Sequence, residues 1–377
     1  MDKWTYLLEF EDDPDDLIAV KEVFSQTIKD LSSVIKLNPK DAYAYYNRGL
    51  GYCKISKIDK AIVNFTKAIE LNPNFIEAYI ARGNAYRKSG TPDWVIQDCT
   101  NAIDLNPTYT LAYIIRGFTY YKKGDLGRAL ADFNKVIELN PKDARAYSIR
   151  GNFYCQNNNL DKALADFNTA IEFKPNGVNA YISRGIVYSN KGDYDSATAD
   201  FNMAIKLYPK YSAAYFNRGN MYRKTGNLDL AIADYIKIII LDLCYNNIQF
   251  DHLVDILYAD NDKLNKKLEE YDNYITSKML YPDYYYFRGL VYTKKSAWDK
   301  AIADFTMAIE LSPLIPELKA ILGMAYQIKN DKEKAKYWYQ ETLTHKYQLT
   351  SRVKEIVQQL LNDLEKQPLK NQILIPK

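Results

Sequence analysis

Apolar and small residues recur along most of the chain at the i, i+3, i+4, i+7 spacing of a helix that buries one face, and the recurrence itself repeats every 34 residues. In Val178 to Tyr211 they fall at Tyr181, Gly185 and Tyr188, then at Ala197, Phe201 and Ala204. Gly192 and Asp193 separate the two sets, so the stretch predicts two short antiparallel helices. Gly192 suits the left-handed backbone that ends a helix. Asp193 and Asp195 suit the cap and first turn of the next helix, and Pro209 stops it. Gly185, Ala197 and Ala204 are small where the helices approach, which leaves room for Tyr181, Tyr188 and Phe201. A large ring that becomes buried contributes about 1.5–3 kcal/mol. One pair leaves its second face open, so neighbours must stack.

Six such units stand in tandem: Ala42 to Phe75, Ile76 to Tyr109, Thr110 to Asp143, Ala144 to Gly177, Val178 to Tyr211 and Ser212 to Tyr245. Their fourth residue is Tyr45, Tyr79, Tyr113, Tyr147, Tyr181 or Tyr215, and their eighth is Gly49, Gly83, Gly117, Gly151, Gly185 or Gly219. The eleventh is always tyrosine, from Tyr52 to Tyr222, and Pro73, Pro107, Pro141, Pro175 and Pro209 close the first five. Val95 and Cys99 replace the small and aromatic residues of the second unit. Leu243 stands where the sixth unit lacks its proline, which predicts that the helix from Leu228 runs on through IKIIILDLC.

The ends are irregular. Residues 1–41 read as an acidic segment followed by a degenerate half-repeat, a helix from Leu17 to Leu37 with Phe24, Ile28, Leu31 and Ile35 on one side. Residues 246–281 read as a divergent helix pair, with Phe250, Leu253, Val254 and Leu257 on one stripe and Leu264, Leu268, Tyr271 and Ile275 on the other. The period resumes over 282–349 as two further units, the second carrying Lys319 in place of the fourth-position tyrosine. A capping helix over 350–367 places Val353, Ile356, Val357, Leu360, Leu361 and Leu364 on one face, and 368–377 is a tail.

Charge recurs as well. The seventh position is Arg48, Arg82, Arg116, Arg150, Arg184, Arg218 or Arg288, and the twenty-third is Asp98, Asp132, Asp166, Asp200, Asp234 or Asp304, with Asn64 in the first unit. In an antiparallel pair these two positions lie at one level, which predicts an Arg–Asp ladder that sets helix register. Both change together in the last unit, to Leu322 and Trp338.

At 377 residues the chain exceeds one ordinary globular core and fits an array that grows by addition. Fifty Lys and Arg against 47 Asp and Glu leave a net charge of +3, too little to call for nucleic acid or an anionic membrane. Cys53, Cys99, Cys155 and Cys244 are widely spaced, and only His252 and His345 could join them, so the sequence predicts no metal site, no cofactor and a reducing compartment. The glycines follow the repeat instead of cradling a phosphate, and no nucleophile, carboxylate pair or metal set can be assembled, so no catalytic site is expected. With no apolar leader and no run of 18 apolar residues, a cytoplasmic location is the expectation.

The spacing of tyrosine, glycine, tyrosine, alanine, phenylalanine and proline resembles the tetratricopeptide repeat. That resemblance implies an all-α fold, a right-handed α-α superhelix whose inner surface is lined by the first helix of each unit. The seventh position, usually leucine in the family, is arginine here. The family's inner positions select an apolar set that includes Leu111, Ile114, Ile115, Phe118, Ile149, Ile182, Ile186 and Phe216, and asparagines at Asn47, Asn84, Asn152, Asn217 and Asn220. A carboxamide can donate to a peptide carbonyl and accept from a peptide N–H, so the expected peptide-binding residues are Asn47, Asn84, Ile114, Phe118, Asn152, Ile182, Ile186, Phe216, Asn217 and Asn220. The fifth position is never lysine, which disfavours a clamp for a chaperone C-terminus. A basic edge runs through Lys54, Arg87, Lys88, Lys122, Lys123, Lys191, Arg223, Lys224, Lys294 and Lys295, where cations suit helix C-termini. The expected function is a non-catalytic scaffold or adaptor for a peptide or protein partner. The alternatives are an assembly subunit self-associating through the divergent pair or cap, and an RNA-binding helical-repeat protein.

Overall fold

The computed structural model describes residues 17–245, 256, 259–277, 281–312, 316–344 and 349–366. The acidic segment to Asp16, the stripe from Phe250 to Leu257, His252, His345, Pro313 and the tail lie outside them. The described residues form nineteen helices in two compact units, one ending at Pro175 and one beginning at Asn176.

In the first unit α1 (Leu17–Leu37) packs on α2 (Ala42–Lys54), which pairs with α3 (Ile58–Leu71). The pairs α4 (Ile76–Lys88) and α5 (Pro92–Leu105), α6 (Thr110–Lys122) and α7 (Leu126–Leu139), and α8 (Ala144–Gln156) and α9 (Leu160–Phe173) follow. The second unit opens with α10 (Val178–Lys191) and α11 (Tyr194–Leu207), then α12 (Ser212–Lys224) and α13 (Leu228–Tyr245). After α14 (Asn261–Thr276) come α15 (Pro282–Lys294) with α16 (Trp298–Leu311), α17 (Pro316–Ile328) with α18 (Lys332–Thr344), and the last helix α19 (Ser351–Lys366). The turn between α10 and α11 forms as its residues predict: Gly192 ends α10 at φ +83°, and the Asp193 carboxylate accepts from the Ser196 backbone N–H at 3.1 Å. Without a closing proline, α13 runs for 18 residues where α11 has 14.

The glycine at the eighth position is required by the ring at the twenty-fourth. A Cβ added to Gly185 would lie 2.8 Å from the Phe201 ring, and the same overlap, between 2.6 and 2.9 Å, recurs at Gly49, Gly117, Gly151, Gly219, Gly289 and Gly323. Gly83 is the exception. Opposite it stands Cys99, and the nearest atom to an added Cβ, on Asp98, is 3.6 Å away.

The tyrosines do more than fill space. Tyr181 and Tyr188 are half-buried, and the Arg184 guanidinium lies between their faces at 5.6 and 5.9 Å. Arg82, Arg150, Arg218 and Arg288 sit the same way between the tyrosines three residues before and four after them. The fourth-position hydroxyl also ties one repeat to the last: Tyr113, Tyr147 and Tyr215 donate to the carbonyls of Pro107, Pro141 and Pro209 at 3.0–3.1 Å.

Candidate functional site

Any ligand surface has to be built from side chains the scaffold leaves over, and the arginines are not among them. Arg184 Nε and Nη2 donate to the two oxygens of Asp200 at 2.8 and 2.7 Å, a two-pronged fit of planar fork to carboxylate. Arg82–Asp98, Arg116–Asp132, Arg150–Asp166, Arg218–Asp234 and Arg288–Asp304 repeat it. Arg48 instead donates to Asn64 at 2.8 Å.

The remaining guanidinium nitrogen reaches back to the preceding second helix. Arg82 donates to Thr66 at 3.0 Å, Arg116 to Thr100 at 3.1 Å and Arg150 to Asn134 at 2.8 Å, while Arg218 bonds Asn202. Arg48 does the same to Ser32 of α1 at 3.1 Å. Each of these guanidinium groups therefore fastens three helices. The backward contact was missed in the sequence because its acceptor varies, being Ser, Thr or Asn in these units and Asp272 for Arg288, while the sixth unit has Ile236 at that twenty-fifth position.

Burial raises the carboxyls of Asp98, Asp234 and Asp304 against the pull of their arginines. Donation to the Asp132, Asp166 and Asp200 carboxylates holds Arg116, Arg150 and Arg184 above the usual guanidinium range. Taking such a pair out of water costs about as much as its attraction returns, so its effect is on register more than on net stability.

The basic edge is largely committed too. Lys123 reaches Asp93 of the preceding pair, and Arg223 reaches Asp363 at 2.6 Å. Lys295 donates to Asn265 at 2.8 Å, and Lys294, its pKa lowered by burial, donates to the carbonyls of Ile256 and Ala259 at 3.1 and 2.7 Å. These contacts interrupt the stripe that an RNA backbone would need. Lys319, at the tyrosine position of the last unit, is buried against Glu341 at 3.6 Å.

The ten expected peptide-binding residues fall into three groups. Ile114, Phe118 and Ile182 are 6–7% exposed and belong to the hydrophobic cores of their own units, as do Ile115 and Ile149, while Ile186 is half-buried. Three more have partners: Asn217 donates to the Ala213 carbonyl of its own helix at 2.8 Å, Asn220 accepts from the Tyr235 hydroxyl at 2.8 Å, and Phe216 lies 5.8 Å beneath the Arg352 guanidinium of α19. In the first unit Asn47 is exposed, Asn84 and Asn152 are half-buried, and none of the three has a side-chain hydrogen bond among the described residues. Asn84 and Asn152 hold the same ninth position of α4 and α8, and Asn47 the sixth position of α2, one turn earlier.

The tetratricopeptide-repeat family model matches residues 42–75, 110–143 and 178–211, in the register of the helix pairs just described. A second tetratricopeptide model matches 64–97, 133–165 and 201–233, and a TPR-repeat model matches 151–192. The chain belongs to the tetratricopeptide-repeat family. It is an all-α tetratricopeptide solenoid. No curated protein matches the sequence. Among solved structures, MamA is 28% identical over 45% of this chain and 92% of its own, with a TM-score of 0.39. YrrB, described as a TPR protein with an unusual peptide-binding site, is 23% identical over 49% and 95%, with a TM-score of 0.38. A tetratricopeptide protein from Parabacteroides merdae is 19% identical over 75% and 98%, with a TM-score of 0.46. At these scores the likenesses add nothing to what the repeat itself establishes.

Tetratricopeptide folds are protein-interaction scaffolds, and what this one offers chemically is hydrogen bonding. Cys99 is fully buried, and burial pushes its thiol up to about 12, far from the thiolate a nucleophile needs. Among the described residues no helix is long and apolar enough to cross a membrane.

Proposed function

We propose that the protein is a non-catalytic cytoplasmic scaffold or adaptor that captures a peptide segment or protein partner, without turnover, on the first-helix faces of its repeats. The observation that carries this reading is the row of unpartnered carboxamides at Asn47, Asn84 and Asn152. The arginines and most of the basic edge are held in place, so recognition rests on backbone hydrogen bonding, which is tolerant of the ligand's side chains. Leu111 of α6, half-buried in the same unit, supplies apolar contact.

Self-association through the cap is the weaker reading, because Val353, Ile356, Val357 and Leu360 have no exposed surface within the chain. The test is affinity capture from native lysate on immobilised full-length protein, with and without nuclease, beside Asn84→Ala combined with Asn152→Ala. Nuclease-resistant capture that the double variant loses, at unchanged helicity, is the expected result. Equal capture by the variant contradicts the site, and capture abolished by nuclease replaces the protein partner with RNA.

A further inference from the structure

The contacts of α19 point to a helix-binding site on the second unit, and they rest on the reading that first-helix faces take partners. Two side-chain links join α19 to α12. Arg352 bonds the Ser212 hydroxyl and lies over the Phe216 ring at 5.8 Å, and Arg223 donates to Asp363 at 2.6 Å. Both links join residues 140 apart. The offset is constant over eleven residues, about 16 Å of helix, so α19 runs parallel to α12 and in register with it.

Ser212, Phe216 and Arg223 are the first, fifth and twelfth residues of their repeat, a stripe that adjoins the ninth position held by Asn84 and Asn152 in the other unit. On α19, Arg352, Gln359 and Asp363 share one helical face by their spacing of seven and four. The adjoining stripe of Val353, Ile356, Val357 and Leu360 is buried in a core shared with α13 and α18. The polar side is not a finished fit, since the Gln359 side-chain oxygen is buried with no hydrogen-bond donor among the described residues.

We infer that the first-helix face of α12 is a receptor for an amphipathic helix lying parallel to it, with a basic residue at its start and an acid eleven residues later. The occupant that the chain supplies in cis is α19. A partner helix with that pattern binds by replacing it, and the two charged ends, matched to the Ser212–Phe216 edge and to Arg223, set the direction in which it lies.

The test uses the full chain and a fluorescein-labelled peptide of residues 349–366, read by anisotropy. Asp363→Arg sets two cations against each other and loosens α19 in cis, so this chain should bind the peptide at least tenfold more tightly than the parent does. Adding Arg223→Glu restores the cis pair with its charges exchanged and should return binding to the parental level. Equal peptide binding by parent and Asp363→Arg, or retained tight binding after the charge exchange, overturns the inference. Hydrogen exchange on the unaltered protein supplies a reading free of substitutions: the α19 amides should exchange ahead of those of α17 and α18, and exchange in step with them also overturns it. The asparagine row lies in the other unit, so loss of capture there and failure of peptide exchange here are separate results.

Discussion

Gly83 and Cys99 face each other without touching: an added Cβ on Gly83 would stand 4.0 Å from the Cys99 sulfur, whereas one on Gly185 would stand 2.8 Å from the Phe201 ring. The same family position therefore carries opposite demands in two repeats of one chain. Gly185→Ala forces the ring aside and should destabilise the protein by about 1–3 kcal/mol. Gly83→Ala has room, and replacing a helical glycine should stabilise by about 0.5–1 kcal/mol. Thermal unfolding of the two variants measures the contrast; a similar shift in both would remove the steric account.

The thiols should report the same packing. Cys99 is fully buried and its pKa lies at about 12, while Cys53 and Cys155 keep some exposure. Under native conditions iodoacetamide followed by peptide mass analysis should modify Cys53 and Cys155 well ahead of Cys99, with Cys99 reacting only as the chain unfolds. Early modification of Cys99 would mean that the α4–α5 pair opens locally.

The fold was largely legible because one residue in each period can be compared with itself seven times over. Tyr, Gly and Ala at fixed offsets specify the helix pairs, and Arg184 with Asp200 could be paired by level alone. What stayed hidden depends on contacts that periodicity does not encode. Tyr181 and Tyr188 read as fillers, although they also sandwich a guanidinium. Ile114, Phe118 and Ile182 satisfy a rule about which face they occupy, but that rule is silent on how far neighbouring helices cover them. The contact of α19 with α12 spans 140 residues and repeats nowhere, so no internal comparison could reveal it.

Two helix caps give a pH signature. The Arg128 backbone N–H at 3.1 Å, with that arginine's side chain, lowers the Asp125 carboxyl, and the hydroxyl and N–H of Ser196 lower that of Asp193. A depressed folded pKa stabilises the fold above the ordinary aspartate value of about 3.9 and loses that contribution as pH falls through the lower folded value. Carbon-13 titration of the side-chain carboxyls should give midpoints for both below about 3.9. Midpoints at or above it would contradict the capping geometry's effect.

The backward arm of each arginine should couple one repeat to the next. The Thr100 hydroxyl donates to the Ile96 carbonyl at 2.8 Å and accepts from Arg116 at 3.1 Å. Thr100→Val keeps the shape and removes the acceptor, so it should cost about 1–3 kcal/mol, the penalty for leaving a buried donor unmade. Thr169, whose hydroxyl makes an exposed bond to its own helix at the Ala165 carbonyl, provides the control: Thr169→Val should change stability by no more than about 0.5 kcal/mol. Equal effects at the two sites would show that the backward bond is idle.

The division between scaffold and ligand surface rests on the arginines being bound inside the repeat. Were they free, seven guanidinium groups on successive first helices would form the most obvious anion-binding row in the chain, and the asparagines would be secondary. Arg184 and Asp200, with 20% and 7% of their side chains exposed, decide the matter most directly through a double-mutant cycle of Arg184→Ala and Asp200→Ala, read by chemical denaturation. A favourable coupling of about 0.5–3 kcal/mol is expected. Additive effects would contradict it and return the arginines to the ligand-binding surface.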